Sequence, residues 1–343
     1  MLRLFYIRTM KQLLIAIIIL AAGCTSKKKI PDVSNIKIDL QTVRFEQDFF
    51  AVDTNNINAS LQQLFTKHQG FTQDFLYNIL GAHQQADSVI KDVKAFATSY
   101  KSLYDTAELQ YKNIGTIENE VKQGLQFVHY YFPKYPLPKQ LITFIGPINS
   151  YGNIITQDGL AVGLQLYMGH QYSLYQNEAF QSLYPDYISR RFEANYIPVN
   201  CLKTIVDDLY PLKISGKPLI EQMIETGKRL YLLNTLMPYA NDTLTTGYTQ
   251  KQLATCFNNE KNIWAFFIEN NLLYEGDPNK INVYVNDGPN TPDINAEAPG
   301  FIGQFVGWQI VKKWMDKNDN LSLPQLLATP AKKIFDEAKY KPR

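Results

Sequence analysis

Apolar residues recur at intervals of three and four along most of the chain. In ADSVIKDVKAFATSYKSLY (86–104), Val89, Val93, Phe96, Tyr100 and Leu103 form one stripe while Lys91, Lys94 and Lys101 take the other side, which predicts an amphipathic helix. IENEVKQGLQFVHYYFP (117–133) repeats the pattern with Val121, Leu125, Val128 and Phe132. Pro133, Pro136 and Pro138 then end it, because proline lacks the amide a helix needs. Earlier, NASLQQLFTKH (58–68) offers Asn58 or Ser60 as a cap and Leu61, Leu64 and Phe65 as a face, and DFLYNIL (74–80) continues to a stop at Gly81.

Alternation, the mark of a half-buried strand, is rarer. It appears at the start of IDLQTVRFEQDFFAVD (38–53), where Ile38 and Leu40 suggest a short strand or an extended arm. Strands cluster in one place. KQLITFIG (139–146) is rich in β-formers, and YGNIITQDGLAVGLQLYMG (151–169) adds one or two strands turned at Asp158-Gly159. Helices resume in residues 185–211, 217–238, 249–274 and 301–318, with further starts at Ser322 and Thr329-Pro330. Residues 286–300, NDGPNTPDINAEAPG, read as a long loop. The predicted class is α+β, predominantly α-helical, with a small sheet near residues 139–168 flanked by helices.

The first residues follow a different pattern. Arg3, Arg8 and Lys11 precede ten apolar residues, Leu13 to Ala22, and then Gly23-Cys24. A spanning helix needs roughly 20 apolar residues, so the run fits a secretory leader better. Ala22-Gly23-Cys24 resembles a bacterial lipobox, with cleavage between Gly23 and Cys24 and lipid attachment at Cys24. Several acyl chains on one residue give durable anchoring where one chain does not. Residues 24–36 would be a tether, and 37–343 one domain with a helical part to about 135. Thr25 is not the aspartate that retains such proteins at the inner membrane, and Lys27, Lys28 and Lys29 come before any acid. Both features point to the outer membrane, facing the periplasm. Without the leader's three basic residues the chain carries 31 basic against 32 acidic groups, which argues against nucleic acid as a partner.

Candidate chemistry is sparse. The four histidines, His68, His83, His129 and His170, stand apart, and no H-E-x-x-H occurs. Asp207 and Asp208 are adjacent and point to different sides of a helix. Glu221 and Glu225 share a face, and Glu225 can pair with Lys228 or Arg229. Cys201 and Cys256 have no nearby histidine to activate them, and the sequence leaves open whether they pair. Gly303 and Gly307, four apart, fit close helix packing better than a phosphate loop. No catalytic, metal-binding or cofactor-binding residue is assigned, and no cofactor is expected.

Five stretches carry a resemblance: VRFEQDFF (43–50), HYYFPKYPLP (129–138), GKRLYLLNTLMP (227–238), APGFIGQFVGWQIVKKWM (298–315) and SLPQLLATPAKKIFDEAKYKP (322–342). With the lipobox before them, they resemble the gliding-motility lipoprotein GldB family of Bacteroidetes, in matching order over nearly the whole mature chain. The resemblance implies a membrane-anchored envelope protein that supports gliding, works beside the type IX secretion apparatus and binds its protein components. The part from about 136 to 343 is also similar to predicted zinc-dependent peptidases, a zincin-like arrangement. Their H-E-x-x-H would fall near FEANYIPVNCLKTIVDD (192–208), which has no histidine. Glu225 falls near a helix where they carry an acid. The implied picture is a peptidase-like scaffold with its metal site missing. Two alternatives remain: a metal-dependent peptidase using His129, His170 and Glu225, and a cell-wall glycan binder using surface aromatics.

Overall fold

The computed structural model describes residues 30–342 except Ala296, with the backbone alone at Ala86. The expected leader, the cleavage site at Gly23 and the lipid-bearing Cys24 lie outside the described residues. None of the described helices is long and apolar enough to cross a membrane.

The sheet has four strands: β1 (Gln41–Arg44), β2 (Gln140–Phe144), β3 (Asn153–Ile155) and β4 (Leu160–Gly163). Their order is β1-β2-β4-β3. β1 runs parallel to β2 with Gln41 opposite Gln140, and β2 parallel to β4 with Leu141 opposite Leu160. β3 returns antiparallel on β4, pairing Asn153 with Val162. The predicted Asp158-Gly159 turn joins them: a side chain at Gly159 would come within 2.4 Å of the Gln140 carbonyl oxygen. β4 is buried along its whole length, and β2 beyond Gln140, as parallel strands covered on both faces are. The sheet differs from expectation at both ends. β1 comes from the N-terminal arm, and residues 164–166, read as strand, form a 3-10 turn.

VRFEQDFF turns immediately after the strand read at the start of this segment. From Phe45 to Phe50 it is helical, because Phe45 and Phe49, one turn apart, drop onto the same cluster. That cluster holds Phe45, Phe49, Phe71, Phe75 and Phe144, all at most 1 % exposed. Phe45 lies 4.8 Å from Phe71 and 5.0 Å from Phe75, and Phe49 lies 4.8 Å from Phe75, in the edge and tilted geometries aromatic quadrupoles favour. The helix Ile57–Lys67 begins at Asn56, so Asn58 and Ser60 lie inside it. Asp74–Ile79 widens into a π-helical turn before Gly81, whose φ is 70°. The long helix Ala86–Gln110 buries Val89, Val93, Phe96 and Leu103 as the periodicity requires. Gly115–Tyr131 buries Val121, Leu125 and Val128, and Gly124 lets Leu202 of the helix Tyr196–Leu209 close against it.

The remaining mass is organised by two helices, Leu219–Leu236 and Ile302–Lys317, each buried on most of its circumference. They cross at Gly227 and Gly307. A Cβ on Gly307 would lie 1.7 Å from the Met223 carbonyl oxygen, and one on Gly227 would lie 2.2 Å from the Gly307 carbonyl carbon. A Cβ on Gly303 would lie 2.7 Å from the carbonyl oxygen of Tyr284, on the helix Pro278–Val285, which the periodicity did not mark. The C-terminal helices Leu323–Ala328 and Ala331–Ala338 pack on the same pair. From Val33 onward the chain forms one compact unit, an α+β fold dominated by helices.

Candidate functional site

The histidines are distributed, not gathered. His68 Nε2 meets Asp48 at 2.7 Å, His83 Nδ1 meets Asp92 at 2.7 Å, and His170 Nδ1 meets Glu193 at 2.6 Å. His129 is exposed on the last turn of its helix. Among the described residues, no three His, Cys, Asp or Glu side chains are grouped as a metal ion would need. Thus His129, His170 and Glu225 do not converge. Cys201 and Cys256 are both buried and free of any disulfide. Burial pushes each thiol up to about 12, so neither carries the thiolate that reactivity needs.

Glu225 sits in a buried cluster. Its Oε2 accepts from the Tyr210 hydroxyl at 2.5 Å and from Lys228 Nζ at 3.2 Å, and its Oε1 accepts from Lys217 Nζ at 3.2 Å. Lys228, only 1 % exposed, also donates to the Thr329 carbonyl at 2.6 Å. Burial pushes the Lys228 ammonium down, and the Glu225 carboxylate opposes that shift. Burial and the same carboxylate hold the Tyr210 phenol well above its ordinary range. Every polar atom of this cluster is engaged by another part of the chain, so its chemistry is that of a clamp. Of the two partners foreseen for Glu225, Lys228 is the one it takes. Arg229 turns instead to Asp207, while Asp208 accepts from Tyr135 on the far side.

A second buried carboxylate, Glu46, carried no sequence expectation. It lies in VRFEQDFF, wholly buried, accepting from Arg44 Nε at 2.5 Å and from Thr143 Oγ1 of β2 at 2.7 Å. Burial raises its pKa and Arg44 opposes the rise. Arg44 continues to Glu108 at 2.7 Å and to the Tyr111 carbonyl at 2.9 Å, which ties β1 to the end of the long helix.

Beside the Glu225 clamp lies a cleft of about 280 Å³. Four helices line it, the short one Asp242–Thr246 through Thr245 alone. Tyr196–Leu209 contributes Lys203 and Asp207, Leu219–Leu236 contributes Thr226 and Arg229, and Ile302–Lys317 begins at its wall with Phe301 and Gln304. Arg229 pairs with Asp207 and donates to the Tyr210 carbonyl at 3.1 Å. Lys203 has no hydrogen bond or ion pair among the described residues. Burial, with Arg191 nearby, pushes its pKa down to about 8. The Thr226 hydroxyl is buried with no hydrogen-bond partner among the described residues. Phe301 caps the third helix in the left-handed region, φ 59°, an unusual conformation for a bulky residue, and its side chain makes no capping bond. Lys203 and Thr226 escape a reading of the sequence because they come from separate helices and form no motif.

No curated protein and no solved structure matches the chain. A family model described as gliding motility protein GldB matches residues 26–342, through the last C-terminal helix, and so includes all five stretches quoted above. The chain belongs to the gliding motility protein GldB family.

Proposed function

We propose that this protein is a lipid-anchored component of the cell envelope that supports gliding motility by binding protein partners, without catalysing a reaction. The family match along residues 26–342 carries the reading. The lipobox at Ala22-Gly23-Cys24 adds to it, because an acylated Cys24 would moor the body to a membrane by a short tether. The absence of Asp at position 25 and the lysines that follow favour the outer membrane, with the body in the periplasm. The partners would be proteins of the gliding and type IX secretion machinery. The engagement of Glu225 and Glu46 inside the fold supports a scaffold role, since each is held by neighbouring side chains and neither is presented to a substrate.

Cys24→Ser is expected to shift the protein from the membrane pellet to the soluble or uncleaved precursor fraction while leaving its fold intact. Crosslinking in intact cells is expected to capture machinery components with the wild type and to lose them with the variant. Unchanged mature protein in the outer membrane fraction would overturn the anchor. Stoichiometric zinc, removed by His129→Ala or His170→Ala and accompanied by peptide hydrolysis, would overturn the non-catalytic role.

A further inference from the structure

We propose that the cleft between the helices Tyr196–Leu209, Leu219–Leu236 and Ile302–Lys317 is a binding site for a small monoanionic carboxylate that carries an apolar group. Nothing in the proposed scaffold role requires such a site.

The cleft's charges are unequal. Arg229 is matched by Asp207, and farther out Arg191 is matched by Asp287. Lys203 makes no hydrogen bond or ion pair among the described residues, and the one carboxylate whose charge favours its ammonium, Asp287, is bonded to Arg191. An unpaired ammonium on a partly buried wall is costly in the empty protein, and an anion would relieve that cost. The start of the helix Ile302–Lys317 adds to this charge. Its first amides have no side-chain cap, and a helix of this length presents roughly half a positive charge at its N-terminus.

The second observation is Thr226. The residue is 8 % exposed and lines the cleft, and its hydroxyl has no partner. Buried polar groups are nearly always satisfied, so an unpartnered hydroxyl just beneath the cleft lining offers a hydrogen bond that an acceptor bound there could take once the side chain turns. The remaining surface is apolar: Val206, Leu212, Leu230 and Leu233 line it. One unbalanced positive charge calls for a single negative one, which favours a carboxylate over a phosphate. The apolar wall calls for a hydrocarbon group attached to it. A free acid and the C-terminal end of a peptide both supply that chemistry.

The test is equilibrium dialysis of the full chain, purified from membranes in mild detergent, against labelled N-acetyl-leucine. Saturable binding at one site per chain is expected, with N-acetyl-leucinamide at least tenfold weaker. Lys203→Met is expected to weaken binding at least tenfold and Thr226→Val several-fold. Both variants should melt as cooperatively as the wild type by circular dichroism, since neither removes a paired group. A peptide with a free C-terminal leucine that competes equally well would assign the site to chain ends, and one that is excluded would assign it to free acids. Cys24→Ser is expected to bind as the wild type does, so failure of the anchor leaves this site standing. Absence of saturable binding, equal binding of acid and amide, displacement by equimolar inorganic phosphate, or unchanged binding by Lys203→Met would each overturn the assignment.

Discussion

The two ends of the domain are held together by opposite means. Around β2 the core is made of large rings, with Phe45, Phe49, Phe71, Phe75 and Phe144 filling space between helices and sheet. Where Leu219–Leu236 crosses Ile302–Lys317, the contact is made by what is missing, and backbone meets backbone at Gly227 and Gly307. An aromatic cluster can lose volume gradually and repack. A backbone crossing has no adjustable part, so any added atom must push the helices apart. Close packing is therefore distributed unevenly, and tolerance to substitution should follow it.

Gly307→Val should have the largest effect. Its Cβ alone would overlap the Met223 carbonyl oxygen, and overpacking of this severity is expected to cost more than about 3 kcal/mol. Denaturant melts should show a lost or strongly shifted transition, whereas a shift under 1 kcal/mol would mean the helices slide freely. Glu225→Leu comes next. It leaves the Lys228 ammonium buried with carbonyls as its main partners, at an expected cost of about 3–5 kcal/mol. Adding Lys228→Met to that variant should recover most of the loss, and a double mutant no better than the single would show that the clamp acts by shape and not by charge. In the aromatic half, Phe75→Ala is expected to lose about 3–5 kcal/mol, but Phe75→Leu only about 1 kcal/mol, because the neighbouring rings can close on the smaller side chain. Equal losses for the two would erase the contrast between the regions.

The smallest effect concerns Lys203. Its folded pKa of about 8 lies below the ordinary 10.5, so folding favours the neutral amine. The penalty for burying the charge is full below pH 8 and fades as pH rises toward 10.5. Lys203→Met should therefore melt higher than the wild type at pH 7.5, by a margin that shrinks by pH 9.5. Arg191, Arg229, Asp207 and Asp287 flank the site, Arg229 paired with Asp207 and Arg191 with Asp287. A margin that grows with pH would reverse the sign of the argument.

Periodicity sufficed for the helices whose buried stripe is regular. Val89, Val93, Phe96 and Leu103 are inside, as are Ile220, Met223, Ile224, Leu230 and Leu233. It failed where the deciding partner is distant in sequence. β1 pairs with β2 from far down the chain, and no local pattern specifies that parallel neighbour. FEQDFF was drawn into a helix by rings from several elements, which outweighed the alternation before it. Residues 164–166 leave the sheet because Gln165, though buried, is needed sideways, accepting from the Gly146 amide and donating to the Tyr151 carbonyl. Asp277-Pro278 did carry a start for the helix Pro278–Val285, and the Asp277 side chain caps it. The spacing of Gly303 and Gly307 foretold a close approach but not which helix would make it. Of the Glu225 clamp, the i, i+3 partner Lys228 was legible, while Tyr210 and Thr329 were not. The cleft was illegible, since Lys203, Thr226 and Phe301 share a wall only after three helices have packed.

The bond from Lys228 to Thr329 has one more consequence. The ammonium belongs to the central helix, but the carbonyl that receives it is supplied near the far end of the chain. A copy whose synthesis stops short of Leu327 would keep Lys228 on Glu225 and Tyr210 but lack the carbonyls that close its shell. The last acceptor for this ammonium thus arrives 101 residues after the lysine itself, so the centre of the fold is completed only when the chain's tail has docked.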